Sequence, residues 1–280
     1  MDKYKYFLND EFEYYYLPAK TKNKQTIIFC HGYAANSECH NFFSDQLLEH
    51  DYYAIVFPGH GKLSYKPEML KVSEYAKYLV NFIKKQDLKK IVLVGHSMGA
   101  AIATCAANLL TKDLVEKLIL VSPMNLMSVA KGIKFKTTFR PTSKDIKSFL
   151  YKFSRSLVYS GESLYDRLPN GKDILKNDIN YYSDHKDAFL ILNKQMATLK
   201  ELLYINKAYK DLDLDTYLIV GERDEIMPVK QTCWKLKKDI KNLHIVQIMQ
   251  TGHLPFIERA DVYFFIIQKI LNNESLKPTY

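Results

Sequence analysis

Only four of the 280 residues are cysteine, and their places argue against a disulfide framework. Cys30 closes an apolar run and Cys105 lies among small residues, so both suit small buried side chains. Cys39 and Cys233 fall in or beside surface elements. No apolar run reaches the roughly 18 residues that cross a bilayer. The polar stretch Met1-Asp2-Lys3-Tyr4-Lys5-Tyr6-Phe7-Leu8 lacks the apolar centre of a secretion signal. These absences lead to the expectation of a reducing cytoplasm, with peripheral contact at a membrane left open. Also missing are a Gly-x-Gly-x-x-Gly run, a phosphate-cradling loop and paired cysteines at metal-ligand spacing. The chemistry is therefore expected to need neither a metal nor an organic cofactor. No repeat or low-complexity tract interrupts the chain, whose length suffices for one sizeable core, or for a core with an insertion.

The charge is uneven. The chain carries a net +9, and residues 124–210 hold 16 Lys or Arg against 8 Asp or Glu. Nearly all the excess is thus in one segment. Phe135, Phe139, Phe149, Tyr151, Phe153, Tyr159, Tyr165, Tyr181 and Tyr182 are interleaved with it. One reading is a surface that docks on anionic lipid or captures negative head groups. The plainer alternative is a solvated lysine-rich face. Nucleic acid is not expected, because no binding motif accompanies the charge.

The most informative stretch is Ile91-Val92-Leu93-Val94, which stops abruptly at Gly95-His96-Ser97-Met98-Gly99. Four apolar residues bounded by glycine fit a strand buried on both faces. The following Ala100-Ala101-Ile102-Ala103-Thr104-Cys105-Ala106-Ala107 is small and helix-compatible. Between them, Gly-x-Ser-x-Gly supports a sharp turn with a strained serine at the end of a sheet, over a helix N-terminus. There the helix dipole and the N–H of Met98 can stabilise an anion. A chance motif in a loop would lack the strand and helix flanks.

A serine hydroxyl needs a base to take its proton and a carboxylate to orient that base. Thr216-Tyr217-Leu218-Ile219-Val220 is another buried-strand pattern, ending in Gly221-Glu222-Arg223-Asp224. Leu243-His244-Ile245-Val246-Gln247-Ile248-Met249 is a further one, followed by Thr251-Gly252-His253. Asp224 and His253 therefore fall in loops after strand C-termini, the edge where open parallel sheets bind ligands. Asp211, Asp213 and Asp215 precede their strand and face the wrong end; Glu222 and Glu225 compete with Asp224 in its own loop. His31, His60 and His96 read as packed, hydrogen-bonded or turn residues rather than bases. An early strand, Thr26-Ile27-Ile28-Phe29-Cys30, ends in His31-Gly32-Tyr33. The N–H of Tyr33 can join that of Met98 to form an oxyanion hole.

These residues resemble the α/β-hydrolases of the esterase/lipase type, a group that includes monoglyceride lipases and lysophospholipases. The resemblance rests on His31-Gly32, Pro58-Gly59-His60-Gly61 with Ser64, Gly95-His96-Ser97-Met98-Gly99, Gly221-Glu222-Arg223-Asp224 and Gly252-His253. They run in family order from about residue 27 to about 258, with Ser97, Asp224 and His253 in the order of that fold. One departure stands at Phe57, where the family often has an aspartate before Pro-Gly-x-Gly.

The resemblance implies an α/β-hydrolase fold: a mostly parallel sheet, helices on both faces, and an inserted helical lid. Residue patterns predict helices near 72–86, 97–110, 229–240 and 261–272, and strands near 91–95, 118–122, 216–220 and 243–249. Residues 1–123 and 211–280 would form the core. Residues 124–210, with helices near 143–158 and 186–206, would form the cap. The expected activity is hydrolysis of carboxylic esters through an acyl-enzyme, with Ser97 as nucleophile, His253 as base and Asp224 as its orienter. The partner would be a small ester with an apolar acyl or alkyl group. Thioester or aminopeptidase chemistry on the same residues, or a non-catalytic binding protein of this fold, are the competing readings.

Overall fold

The computed structural model describes residues 4–20, 24–35, 47–111, 113–127 and 145–280. Among them, eight strands form a single sheet in the order β1-β2-β4-β3-β5-β6-β7-β8. The strands are β1 (Lys5–Leu8), β2 (Glu13–Leu17), β3 (Thr26–Cys30), β4 (Asp51–Val56), β5 (Ile91–His96), β6 (Val115–Val121), β7 (Thr216–Gly221) and β8 (Leu243–Ile248). β1 pairs with β2, and β2 with β4, antiparallel; all later pairings are parallel. The helices are α1 (Val72–Lys85), α2 (Met98–Leu109), α3 (Ile146–Ser156), α4 (Leu164–Arg167), α5 (Gly171–Met196), α6 (Leu199–Lys210), α7 (Val229–Asp239), α8 (Pro255–Glu258) and α9 (Ala260–Leu271).

The central strands are largely apolar because both faces are covered. Their side chains alternate between two cores with the period of the pleat. Ile28, Cys30, Ile91, Leu93, Leu118, Leu120 and Leu218 pack with residues of α1, α2 and α6. Ile27, Phe29, Val92, Val94, Ile119, Val121 and Ile219 pack with Phe256, Tyr263, Phe264 and Ile267. Each such fully buried side chain contributes about 1.5–3 kcal/mol, and a one-residue slip in register would exchange the two faces.

α2 is made almost entirely of small residues, and this lets it lie directly on the sheet. A methyl carbon at Gly99 would fall 2.0 Å from the Cys30 carbonyl oxygen, and one at Gly95 would fall 2.5 Å from the Ala100 Cα. Only glycine fits at either place. The outer edge of β8 is covered by the chain's last residues, with Gln247 N donating to Pro278 O and Met249 N to Tyr280 O. This protects an otherwise open ladder.

Between β6 and β7 the described residues form helices joined by short loops, with no strand among them. Leu150, Leu175, Tyr182 and Phe189 form a third, smaller core, against which Tyr33 and Ala34 pack from the end of β3. The stretch expected to be one helix near 186–206 is two. α5 ends at Met196, and Thr198 starts α6 as its N-cap, accepting from Glu201 N. The N-terminal part of the helix expected near 143–158 lies outside the described residues, as do Phe135, Phe139 and Cys39. Strands β1, β2 and β4 have no clear counterpart in the residue pattern: β1 is exposed along its length, and β2 is a run of three tyrosines. They interlock through rings instead, Tyr16 stacking on Tyr53 at 4.6 Å and Phe7 on Tyr14 at 5.0 Å.

Candidate active site

β5 runs into α2 with no intervening loop, and Ser97 takes the whole change of direction. Its φ of 54° and ψ of −116° lie in a region that L-residues rarely occupy. Ser97 N donates to Val121 O, and Ser97 O accepts from Ala100 N and Met124 N, so β6 and the start of α2 hold the strained residue from both sides. The missing side chain of Gly32 matters equally. A methyl carbon there would lie 3.3 Å from the Ser97 Cβ and 3.1 Å from His96 Nδ1. The 31–33 segment therefore passes directly beside the serine. Met98, at the first position of α2, has one of the first-turn amides that a helix cannot satisfy internally.

Asp224 and His253 meet although 29 positions apart. His253 Nδ1 donates to Asp224 Oδ2 over 2.8 Å, with both side chains under 5 % exposed. The other carboxylate oxygen accepts from Ile226 N at 2.9 Å and Met227 N at 2.7 Å, which fixes the carboxylate independently of the imidazole. A neutral imidazole that donates from Nδ1 presents Nε2 as a lone pair. His96 secures the backbone of this loop, since its Nε2 donates to His253 O over 3.0 Å, and the two rings lie 4.7 Å apart. Gly221 and Gly252 allow the two loops to touch: a methyl carbon at Gly221 would meet Gly252 O at 2.1 Å.

The other histidines have different work. His31 Nε2 accepts from Phe57 N at 3.2 Å, so Nδ1 is the nitrogen that donates to Gly32 O at 2.8 Å. This is a neutral tautomer, and complete burial pushes the His31 pKa down to about 4. His60, packed against His31 and Phe189, is also held well below the usual imidazole range by burial and by His31. Phe57 is fully buried, stacks on Tyr75 at 5.0 Å and supplies the N–H that holds His31. The turn after it is held by Glu13, whose Oε2 accepts from Lys62 N at 2.7 Å and Leu63 N at 2.9 Å.

The helical region reaches this edge at several points. Tyr33 Oη donates to Phe189 O on α5 at 3.0 Å. Tyr181 Oη donates to His60 O at 3.0 Å. His253 N donates to Leu157 O, just past α3, at 2.8 Å. Of the interleaved aromatics, Phe149, Phe153 and Tyr182 pack on one another, Tyr165 donates to Asp178, and Tyr151 donates to Asp166. Glu258, which accepts from Gly252 N in the His253 loop, and Arg167, which donates to Glu258, belong to no sequence motif. Among the described residues no helix is long and apolar enough to cross a membrane. Nor does any group of three or more His, Cys, Asp and Glu side chains there suit a metal ion.

A mostly parallel sheet covered by helices on both faces, with a serine at a strained strand-to-helix turn, defines an α/β-hydrolase fold. The model of the alpha/beta hydrolase family matches residues 27–264. The chain belongs to that family. It is 32 % identical over 271 residues to a Mycoplasma genitalium protein provisionally designated esterase/lipase 3, covering 96 % of this chain and 94 % of that one. The Mycoplasma pneumoniae protein of the same designation is 31 % identical over 276 residues, covering 96 % and 95 %. A crystal structure of a provisionally assigned lipase from Acinetobacter baumannii superposes with a TM-score of 0.79 at 20 % identity, covering 97 % of this chain and 92 % of that one. At that identity the likeness concerns the fold.

Proposed function

We propose that this chain hydrolyses carboxylic esters through an acyl-enzyme on Ser97. The observation that carries the reading is the buried pair Asp224 and His253, joined over 2.8 Å at the sheet edge where Ser97 is held at positive φ. In the first half-reaction Ser97 Oγ attacks the ester carbonyl carbon while His253 Nε2 takes its proton. The Asp224 carboxylate keeps the imidazole in the required tautomer and stabilises the imidazolium. The oxyanion accepts from the N–H groups of Tyr33 and Met98. His253 then protonates the leaving alcohol, and in the second half-reaction it takes a proton from the water that attacks the acyl-enzyme. No step calls on a metal or an organic cofactor.

Residues 124–210 are the segment we assign as the cap, with α5 closest to the turn at His60 and to Tyr33. The aromatic content of the cap favours an apolar acyl or alkyl group. The aromatics of the cap that pack inside it favour reading its lysines as a solvated face. A reducing compartment suits the buried thiols of Cys30 and Cys105, both pushed up by burial.

A fluorophosphonate probe on the purified protein tests the reading. Stoichiometric phosphonylation at Ser97, located by mass spectrometry and lost in Ser97→Ala, is the expected result. Matched ester, thioester and amide substrates should then rank with the ester first. Folded protein that leaves the probe unreacted would refute the proposal.

A further inference from the structure

The backbone that carries His253 is clasped from two directions. On one side lies the stretch that follows α3. Its Leu157 O accepts from His253 N at 2.8 Å, and a methyl carbon at Gly252 would fall 2.7 Å from Leu157 O and 3.0 Å from Tyr159 N. On the other side lies the last residue of α8. Glu258 Oε2 accepts from Gly252 N at 2.6 Å, and Oε1 accepts from Tyr159 N at 2.8 Å. Arg167 Nη1, at the end of α4, donates to the same Oε1 at 3.1 Å. The Glu258 side chain is 2 % exposed, against 39 % for Arg167. One buried carboxylate thus gathers an N–H from the residue before His253, an N–H from the helical region, and the guanidinium that neutralises it.

We propose that Glu258 is a positioning residue for His253, and that it makes the seating of the helical region and the placement of the base one event. The inference rests on the reading of His253 as the base. The base must stay within about 2.6–3.2 Å of the proton that it abstracts, and a displacement of about 1 Å costs on the order of 10²-fold in rate. Hydrogen bonds to a charged acceptor are shorter and stronger than neutral ones, so a carboxylate holds this loop more tightly than an amide. In Glu258→Gln one oxygen remains for two backbone donors. The amide NH2 faces the other N–H, and either the Gly252 or the Tyr159 tether is lost.

Glu201 supplies the control. It is a similarly buried carboxylate, accepting from Ser73 N at 3.0 Å and Ser73 Oγ at 2.7 Å, where α6 meets α1. Wild type, Glu258→Gln and Glu201→Gln are compared by thermal unfolding, by the rate of fluorophosphonate labelling at Ser97, and by kcat and KM on a soluble short-chain ester. The expected result is a loss of about tenfold or more in kcat and labelling rate for Glu258→Gln, at a KM within about twofold. Glu201→Gln should lose stability with kcat retained. Should Glu258→Gln fail to fold, Glu258→Asp is read in its place. It keeps the charge but is too short to hold both N–H groups, and it should show the same fall in kcat in milder form. If wild type labels at Ser97 and the Glu258 variant labels equally fast, the inference about Glu258 falls alone. It falls as well if both variants lose kcat in proportion to stability. If wild type does not label at Ser97, this inference and the proposed function fall together.

Discussion

Replacing Asp224 by asparagine changes one atom and sets two demands against each other. The side chain accepts at both ends: from Ile226 N and Met227 N at Oδ1, and from His253 Nδ1 at Oδ2. Asparagine can accept at one end only. If its NH2 turned toward the two backbone amides, two buried donors would lose their acceptor, at about 1–3 kcal/mol each. If its oxygen stays with them, the NH2 faces His253 Nδ1, and the imidazole needs only to move its proton to Nε2. The second arrangement wins, and it destroys the lone pair that Ser97 requires. The expected loss in kcat is about 10⁴, equivalent to about 5.5 kcal/mol of transition-state stabilisation at ~1.4 kcal/mol per decade. KM should change little, and the isosteric side chain should keep the unfolding temperature near that of wild type. Steady-state kinetics on a soluble chromogenic ester, beside a thermal melt, measures both. A variant that retained activity within tenfold of wild type would refute the assignment of Asp224 as the orienter.

Ser97→Ala should reduce kcat by about 10⁶ if the three residues act as a unit, as measured by burst-free turnover of the same ester. Gly99→Ala places a methyl carbon against the Cys30 carbonyl oxygen at 2.0 Å, with backbone on both sides and nothing flexible to yield. It should lower the unfolding free energy by about 3 kcal/mol or more, seen as a depressed denaturant midpoint, and a neutral result would disprove the close approach. Glu13→Ala strands the Lys62 and Leu63 amides and should cost about 2–4 kcal/mol in the same assay. Stability should also fall between about pH 6.5 and about pH 4. The unfolded chain binds a proton at His31 near 6.5, whereas the folded chain resists it to about 4, so acid favours unfolding. The contribution is about 3 kcal/mol, and His60 acts in the same direction. Denaturant unfolding that gave a flat profile across that window would contradict it.

What the residue pattern reveals and what it hides divides along physical lines. The strands that position Ser97, Asp224 and His253 are legible because burial on both faces forces continuous apolar runs, and glycines mark their ends. The outer strands are not, because β1 and β2 are exposed or tyrosine-rich and gain their order from ring contacts across strands. The break between α5 and α6 has a local signal, Thr198 followed by Glu201, but an apolar run crossing it reads as one helix. Glu258 has no such signal. Its role depends on Gly252, Tyr159 and Arg167 arriving from three different elements, and only the folded chain shows that. Phe57, read as a departure from a motif, proves to be a packed residue whose N–H holds His31.

The sheet order also bears on how the chain is made. On one side of β3 the strands β5, β6, β7 and β8 are added in chain order, while β4 joins β3 on the other side, so the sheet can grow outward as the polypeptide leaves the ribosome. Ser97 follows β5, while Asp224 and His253 follow the last two strands, 127 and 156 residues later. At about 5–20 residues per second, roughly 8–30 s separate the synthesis of Ser97 from that of His253. During that interval the nascent chain carries a turn without a base. On the proposed mechanism, a chain that stops before β8 would carry the serine without its base and be silent rather than promiscuous.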